Sequence, residues 1–494
     1  MFRRKTTRWQ GSIGKRSLFG GRNADTIKLP KSTLHRTPAL RLKKTRTSEH
    51  ASGNQSDQPR VSRPFASSLF RNRFKRGQSR PSPRVREVPH RRGNRLALTI
   101  ANALLTCSIV LFWPAAMGTV EHSRDQIWGV DQAGIQRIVA KYLDSGTLPD
   151  VISSPELPGE SNRLYYNIDP DLQAAIESEL AKYQPDYGMA VAMDAETGKI
   201  LAMADIQRDG NGQHNLNLQS TYPAASVFKT VTAAAAIDLG KADATTVIPY
   251  NGKRTTLYKK NVLKHQNNKW TRHEPLSEAY AKSANAAFAR LGLYTVGGEK
   301  LLEYSDRFDF NGPLDADMPV GASSIEMDPA EPWSVAETAA GYTRGTNMSP
   351  IHGAMLAATI ANDGVMPSAR LIDAVTDEHG IILYESDDSR PHRVISAKAA
   401  SEMRKLMRQT VISGSARKSF RGFDKNFGDI EVGGKTGSLT GFTPKGKYDW
   451  FVGYATDGER KLAFAVLCIN KDYWYVKSTL LARKLVESYF SEKG

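Results

Sequence analysis

A serine with a lysine three residues on, and a second lysine far along the chain, are residue types from which an acyl-transfer site can be built. Ser226-Val227-Phe228-Lys229, Ser283-Ala284-Asn285 and Lys435-Thr436-Gly437 occur in that order. A serine hydroxyl is a weak nucleophile and needs an adjacent base. On a helix, Lys229 lies on the same face as Ser226, one turn away. It can act as that base only if desolvation or a nearby positive charge lowers its pKa. The Ala- and Val-rich run after Ser226 offers an apolar setting, and Lys435 would supply the charge. A helix N-terminus at Ser226 also presents backbone N–H groups and a positive dipole end to a developing oxyanion.

Each motif alone has a plainer reading. S-x-x-K recurs at Ser12 and Ser415 and S-x-N at Ser52, and only Lys435-Thr436-Gly437 is unique. Ser226 and Lys229 alone would be a capping serine and a solvated lysine. Ser283 and Asn285, within a helix or at a helix break, would cap locally. The third motif would be a glycine turn. Order and context lift the set: Ser12 lies in a basic tail, and Ser415 follows a helix instead of opening one. Gly433-Gly434 before Lys435, and Gly437 and Ser438 after it, suit an edge strand that an extended peptide approaches closely.

The elements that position these residues follow from the pattern. Asp169-Pro170 opens a helix over 169–183, with a capping Asp and Pro at the first helical position. Apolar runs at 189–193 and 199–203 flank 194–198 as a hairpin. A helix over 226–239 is apolar all round and predicted buried. Further helices are predicted over 276–293, from Ser349-Pro350 to 362–364, over 396–412 and over 476–490. Strands are predicted at 450–455 and 462–469. Helices and hairpin-linked strands in separate runs predict an α+β fold, a mainly antiparallel sheet flanked by helices.

Charge divides the chain. Residues 1–95 hold 26 of the 68 Lys and Arg and four of the 51 Asp and Glu, so they sum to +22 and the remainder to −5. This segment lacks apolar periodicity and is read as a disordered tail. Residues 96–118 carry no charge, and a helix of that length spans roughly 34 Å, enough for a bilayer core. Cations crowd its near flank (Arg91, Arg92, Arg95), whereas Glu121 and Asp125 follow it. This predicts one transmembrane helix, a cytoplasmic N-terminus and an extracytoplasmic body. Residues 119–160 are read as an extracytoplasmic linker with one short helix at 133–143, leaving 161–494 as the catalytic domain. Cys107 falls in the span and Cys468 in the body, so no disulfide is expected. His265, His273 and His352 have no partners at metal-ligand spacing, and no metal is expected. The tail is expected to meet inner-membrane lipids. With no DNA- or RNA-binding signature beside it, nucleic acid is not an expected partner.

The three motifs resemble those of the penicillin-binding protein transpeptidases and serine β-lactamases, whose signature is S-x-x-K, S-x-N and K-[ST]-G. Ile168-Asp169-Pro170-Asp171-Leu172-Gln173, Asp194-Ala195-Glu196-Thr197-Gly198-Lys199, Ala361-Asn362-Asp363-Gly364 and Asp449-Trp450-Phe451-Val452-Gly453-Tyr454 resemble the transpeptidase branch. The resemblance implies a penicillin-binding/β-lactamase-like fold and a D,D-transpeptidase with no cofactor, acting on peptidoglycan stem peptides and acylated by β-lactams. It implies Ser226 as nucleophile and Lys229 as base. Ser283 would relay the proton, and Asn285 would orient Lys229 and hold the substrate amide. Lys435 and Thr436 would bind the terminal carboxylate, Gly437 would permit close approach, and the N–H groups of Ser226 and Ser438 would form the oxyanion hole. Cell-wall synthesis proteins are further candidate partners. A D,D-carboxypeptidase, a β-lactamase, a β-lactam sensor and a non-catalytic scaffold share the fold and differ in turnover.

Overall fold

A computed structural model describes residues 130–144, 148–210, 215–264, 266–386 and 391–491. The basic tail, the uncharged run 96–118 with Cys107, the first residues of the expected linker and His265 lie outside them. Among the described residues no helix is long and apolar enough to cross a membrane.

The domain is built on five antiparallel strands: β1 (Tyr187–Asp194), β2 (Ile200–Gln207), β3 (Glu431–Phe442), β4 (Lys445–Thr456) and β5 (Lys461–Asn470). Their spatial order is β3-β4-β5-β1-β2. β1 and β2 form the expected hairpin. Asp194 closes its turn by accepting the N–H groups of Glu196 and Thr197 at 3.0 and 2.8 Å. Successive side chains of a strand face opposite sides, and here both sides are buried. Met189, Val191, Trp450, Val452 and Ala465 enter one core, and Ala190, Ala192, Phe451, Phe464 and Val466 the other.

Helix α2 (Pro170–Tyr183) and the last helix, α9 (Ser478–Ser491), cover the second face. Asp169 caps α2 by accepting the N–H groups of Asp171 and Leu172, and Pro170 needs no partner for its nitrogen. On the first face lies α7 (Pro350–Ala361), capped by Ser349 and buried along its whole length. Gly353 brings it against the sheet: a Cβ there would meet Ala465 at 3.1 Å and Val452 at 3.2 Å. Each large apolar side chain that α7 buries, such as Leu356 or Ile360, contributes about 1.5–3 kcal/mol.

Two expectations need correction. The stretch read as a linker is packed into the domain from residue 132. Helix α1 (Gln132–Asp144) buries Ile135, Ile138 and Val139 in the main core, and Gln132 donates to the Asp315 carboxylate at 2.6 Å. Val151–Ile152 and Asn162–Tyr166 complete a four-stranded sheet with Ile372–Thr376 and Ile382–Glu385. Two short strands in a stretch broken by Pro149, Pro155 and Pro158, one of them pairing with the distant Ile372–Thr376, leave little local signal. The helix predicted over 276–293 is also broken. It divides into α4 (Leu276–Ala281), α5 (Asn285–Arg290) and a π-type turn (Leu291–Val296), because Ser283 takes a left-handed φ of 56° and Ala284 is extended.

Candidate active site

The three motifs, distant in sequence, converge where the edge strand β3 meets the start of helix α3 (Lys229–Asp238). Ser226 does not open the α-helix itself. It lies in a single 3-10 turn, Ala225–Phe228, whose first residue has φ 50°. Such a conformation is strained for alanine and persists only where packing dictates it. The packing comes from Gly341, just beyond helix α6 (Pro332–Ala339). A Cβ on Gly341 would lie 2.0 Å from the Ala225 carbonyl oxygen, so the two backbones touch.

Lys229 is buried on a helix whose neighbours are Ala, Val and Thr. Its Nζ lies 2.7 Å from Ser226 Oγ and donates to Asn285 Oδ1 at 2.8 Å. It also donates to the carbonyl of Ala340. Burial, and secondarily the charge of Lys435, hold its pKa well below the ordinary lysine value. Asn285 is fixed in turn, its backbone N–H donating to the Arg254 carbonyl at 2.8 Å and Nδ2 to the Thr255 carbonyl at 3.1 Å.

The helix break aims the Ser283 hydroxyl at Lys435, whose Nζ donates to it at 3.1 Å and to the Thr436 carbonyl at 2.7 Å. Lys435 is fully buried, 5.5 Å from the Tyr280 ring centroid, and burial pushes its pKa down to about 7. Two lysines thus share one pocket with no carboxylate recorded against either amine among the described residues. Such a pair disfavours double protonation and favours a free base at neutral pH.

Strand β3 is an edge strand, as the motif implied, but its glycines have a different reason. A Cβ on Gly433 would meet the Tyr454 ring at 2.6 Å, and one on Gly434 the Phe451 ring at 2.6 Å. One on Gly437 would stand 3.0 Å from Val227 and 3.1 Å from the Ala224 carbonyl. The domain's own aromatics and the nucleophile's turn fill this space, and Trp450 Nε1 ties the neighbouring strand to the Pro223 carbonyl at 2.9 Å. Ser438 lies on β3 opposite Asp449.

Two participants went unrecognised in the sequence. Ala340 contributes a carbonyl, which every residue has, so nothing marks it. Ser415, set aside because it follows a helix, does follow α8 (Ala397–Ile412). Its hydroxyl lies 2.6 Å from Thr436 Oγ1, and its N–H donates to the Ala281 carbonyl at 3.0 Å, beside the second motif. Nothing local marks it, since Lys418, which completes its S-x-x-K, is exposed and takes no part in the contact with Thr436.

His352 is buried between the Ser323 hydroxyl at 2.6 Å and the Phe308 carbonyl at 2.7 Å, and burial lowers its pKa to about 4. It is a neutral core histidine. His273 is exposed on the strand Arg272–Pro275. Cys468 is free and buried in β5.

A family model described as the penicillin binding protein transpeptidase domain matches residues 188–487, more than half of the chain. Stage V sporulation protein D of Bacillus subtilis is 27% identical over 336 residues, covering 62% of this chain and 49% of that protein. Peptidoglycan D,D-transpeptidase PbpA of Mycolicibacterium smegmatis is 27% identical over 314 residues, covering 57% of this chain and 62% of that one. The match therefore spans less than two thirds of either relative. In fold, the chain resembles the D,D-transpeptidase domain of a peptidoglycan glycosyltransferase from Eggerthella lenta. The TM-score is 0.57 at 23% identity, over 70% of this chain and 90% of that one. Penicillin-binding protein A from M. tuberculosis, solved as an imipenem acyl-enzyme complex, gives 0.54 at 22% identity over 75% and 87%. With its three motifs gathered at one edge of the sheet, the chain belongs to the penicillin-binding protein transpeptidase domain family.

Proposed function

We propose that the chain is a peptidoglycan D,D-transpeptidase that crosslinks stem peptides through an ester on Ser226 and is inhibited by β-lactams. The observation that carries this reading is the set of contacts around Lys229 Nζ. A neutral amine has two N–H donors and one lone pair. The Asn285 and Ala340 carbonyl oxygens can only accept, so they occupy both donors. The lone pair is left for the Ser226 hydroxyl. The geometry therefore suits Lys229 to taking the serine proton as the hydroxyl attacks.

In the first half-reaction the Ser226 Oγ–carbonyl carbon bond forms and the D-Ala-D-Ala amide bond breaks. The proton taken by Lys229 passes through the Ser283 hydroxyl to the leaving nitrogen, and D-alanine departs. In the second, an amine of a neighbouring stem attacks the ester. The new amide forms, the ester C–O bond breaks, and the amine's surplus proton returns through Lys229 to the Ser226 oxygen. The N–H groups of Ser226 and Ser438 hold the oxyanion in both steps. Lys435 and Thr436 receive the terminal carboxylate, and Gly437 keeps β3 close against the nucleophile's turn.

The charge asymmetry around residues 96–118 supports a single-pass anchor in the cytoplasmic membrane. The tail would be inside against inner-leaflet lipid, and the body outside with cell-wall synthesis proteins. Protease added to spheroplasts would digest the body and spare the tail; the reverse pattern overturns this topology.

Labelling membranes with a fluorescent penicillin tests the chemistry. A stable band at 54.5 kDa in the wild type, absent in Ser226→Ala, is expected. Folded wild type that neither labels nor hydrolyses the drug would overturn the reading.

A further inference from the structure

Between Tyr250 and Glu274 the chain carries seven Lys and Arg and no Asp or Glu, on a body that sums to −5 beyond residue 95. This excursion is a folded arm. Its base is closed by the antiparallel pairing of Val247–Tyr250 with Arg272–Pro275. Its own Leu257 and Val262 are buried, and the Tyr294 hydroxyl donates to the Val262 carbonyl at 3.2 Å.

Two of the seven cations have acidic partners: Arg254 binds Glu274 at 2.5 Å, and Lys259 lies 3.8 Å from Glu331. Lys253, Lys260, Lys264, Lys269 and Arg272 are exposed, and none forms an ion pair with a described carboxylate. Like charges on one small surface repel each other, and an incoming polyanion relieves that repulsion. Trp270, 76% exposed, and Tyr258, 57% exposed, add flat apolar faces among the cations. Cations interleaved with aromatic faces suit a polymer that carries carboxylates along a carbohydrate.

The arm also touches the site. The carbonyls of Arg254 and Thr255 hold the backbone and side chain of Asn285, whose Oδ1 accepts from Lys229. A polymer seated on the arm therefore lies beside the residues around Ser226.

We propose that the arm, residues 251–264 and 266–273, docks the anionic glycan-peptide polymer, gripping free carboxylates of its stem peptides and raising its concentration at Ser226. The inference rests on the transpeptidase reading and adds the surface by which the polymer, as opposed to a single stem peptide, is recognised.

The test uses the full chain in detergent and the variant Lys253→Gln/Lys260→Gln/Lys264→Gln/Lys269→Gln, which leaves Ser226, Lys229 and Asn285 intact. Acylation by a fluorescent penicillin, too small to bridge to the arm, should match the wild type. KM for crosslinking soluble, uncrosslinked glycan-peptide chains should rise at least about fivefold with kcat retained. Wild-type KM should approach the variant's as salt is raised to about 1 M, where the Debye length falls to about 3 Å. Equal polymer KM in the two proteins overturns the proposal. So does a variant that loses only its binding to anionic phospholipid vesicles, since the arm would then be a membrane contact. A wild type that penicillin does not acylate fails before polymer is added; that result refutes the transpeptidase reading and the docking role with it.

Discussion

Replacing Gly341 by alanine should disable the nucleophile without unfolding the domain. Gly341 has φ 55°, and an added Cβ would lie 2.0 Å from the Ala225 carbonyl oxygen and 3.1 Å from Ser226 Cα. Both are backbone atoms, so no rotamer relieves the contact. Contacts shorter than 3.0 Å are essentially never made by a real Cβ, so the two segments must part by about 1 Å, a displacement that can cost 100-fold in rate. The neighbouring Ala340 carbonyl holds Lys229, so this movement separates base from nucleophile. A 100-fold loss is about 2.7 kcal/mol in the barrier. The left-handed conformation itself should cost alanine only about 1–2 kcal/mol in stability. The assay is the second-order rate of acylation by a fluorescent penicillin, beside a thermal melt. Gly380→Ala is the control: φ is 82° and nothing lies within 4 Å of the added carbon, so it carries the conformational penalty alone and should acylate normally. A folded Gly341→Ala protein that acylates within about threefold of wild type would refute the coupling.

Acylation requires unprotonated Lys229, so its rate should rise with pH through the lowered pKa and then level off. Because Lys435 contributes to that lowering, Lys435→Gln should move the rise to higher pH, and an unmoved profile would count against charge coupling. Lys435 itself titrates near 7 when folded and about 10.4 when unfolded. Between these values the unfolded chain holds a proton that the native state has released. Stability from this residue is therefore present above the unfolded value and lost as pH falls through about 7, with a slope of at most about 1.4 kcal/mol per pH unit. Urea unfolding at pH 7, 8 and 9 should show a steeper rise for wild type than for Lys435→Met; parallel slopes would contradict it. Ser415→Ala should slow acylation by a penicillin about tenfold, by freeing the Thr436 hydroxyl from its partner. It should leave acylation by the penicillin methyl ester unchanged, and Ser415→Thr should restore the rate. Equal losses with acid and ester would reduce Ser415 to a packing residue.

The elements whose causes are local were readable from the sequence. Asp169-Pro170 and Ser349-Pro350 mark helix starts because capping and proline geometry involve adjacent residues. The 194–198 turn is legible for the same reason. The three motifs were legible as residue types, because a nucleophile needs a base and the base needs an apolar pocket. What escaped depends on distant packing. Ala225 adopts its strained turn because Gly341 presses on it, and Ser283 breaks a run of good helix formers to reach Lys435. Gly433 and Gly434 read equally well as room for a ligand or room for Tyr454 and Phe451, and only the fold decides. The linker reading failed because the helix Gln132–Asp144 finds its partners far along the chain, with Gln132 donating to Asp315 and Gln136 to the Met318 carbonyl.

The strand order has a consequence for how the protein comes to exist. β5 inserts between β4 and β1, pairing Val466 with Ala190, so the central sheet joins the two ends of the domain. Closing so large a loop precedes any reward from pairing, and folding of this kind is slow. A chain emerging N-terminus first presents Ser226 and Lys229 long before β3 arrives with Lys435. Until β4 and β5 hold β3 in the sheet, Lys435 is missing from the pocket and cannot help to lower the pKa of Lys229. Reactivity toward β-lactams should therefore switch on with completion of the sheet, which makes acylation a reporter of finished folding as much as of catalysis.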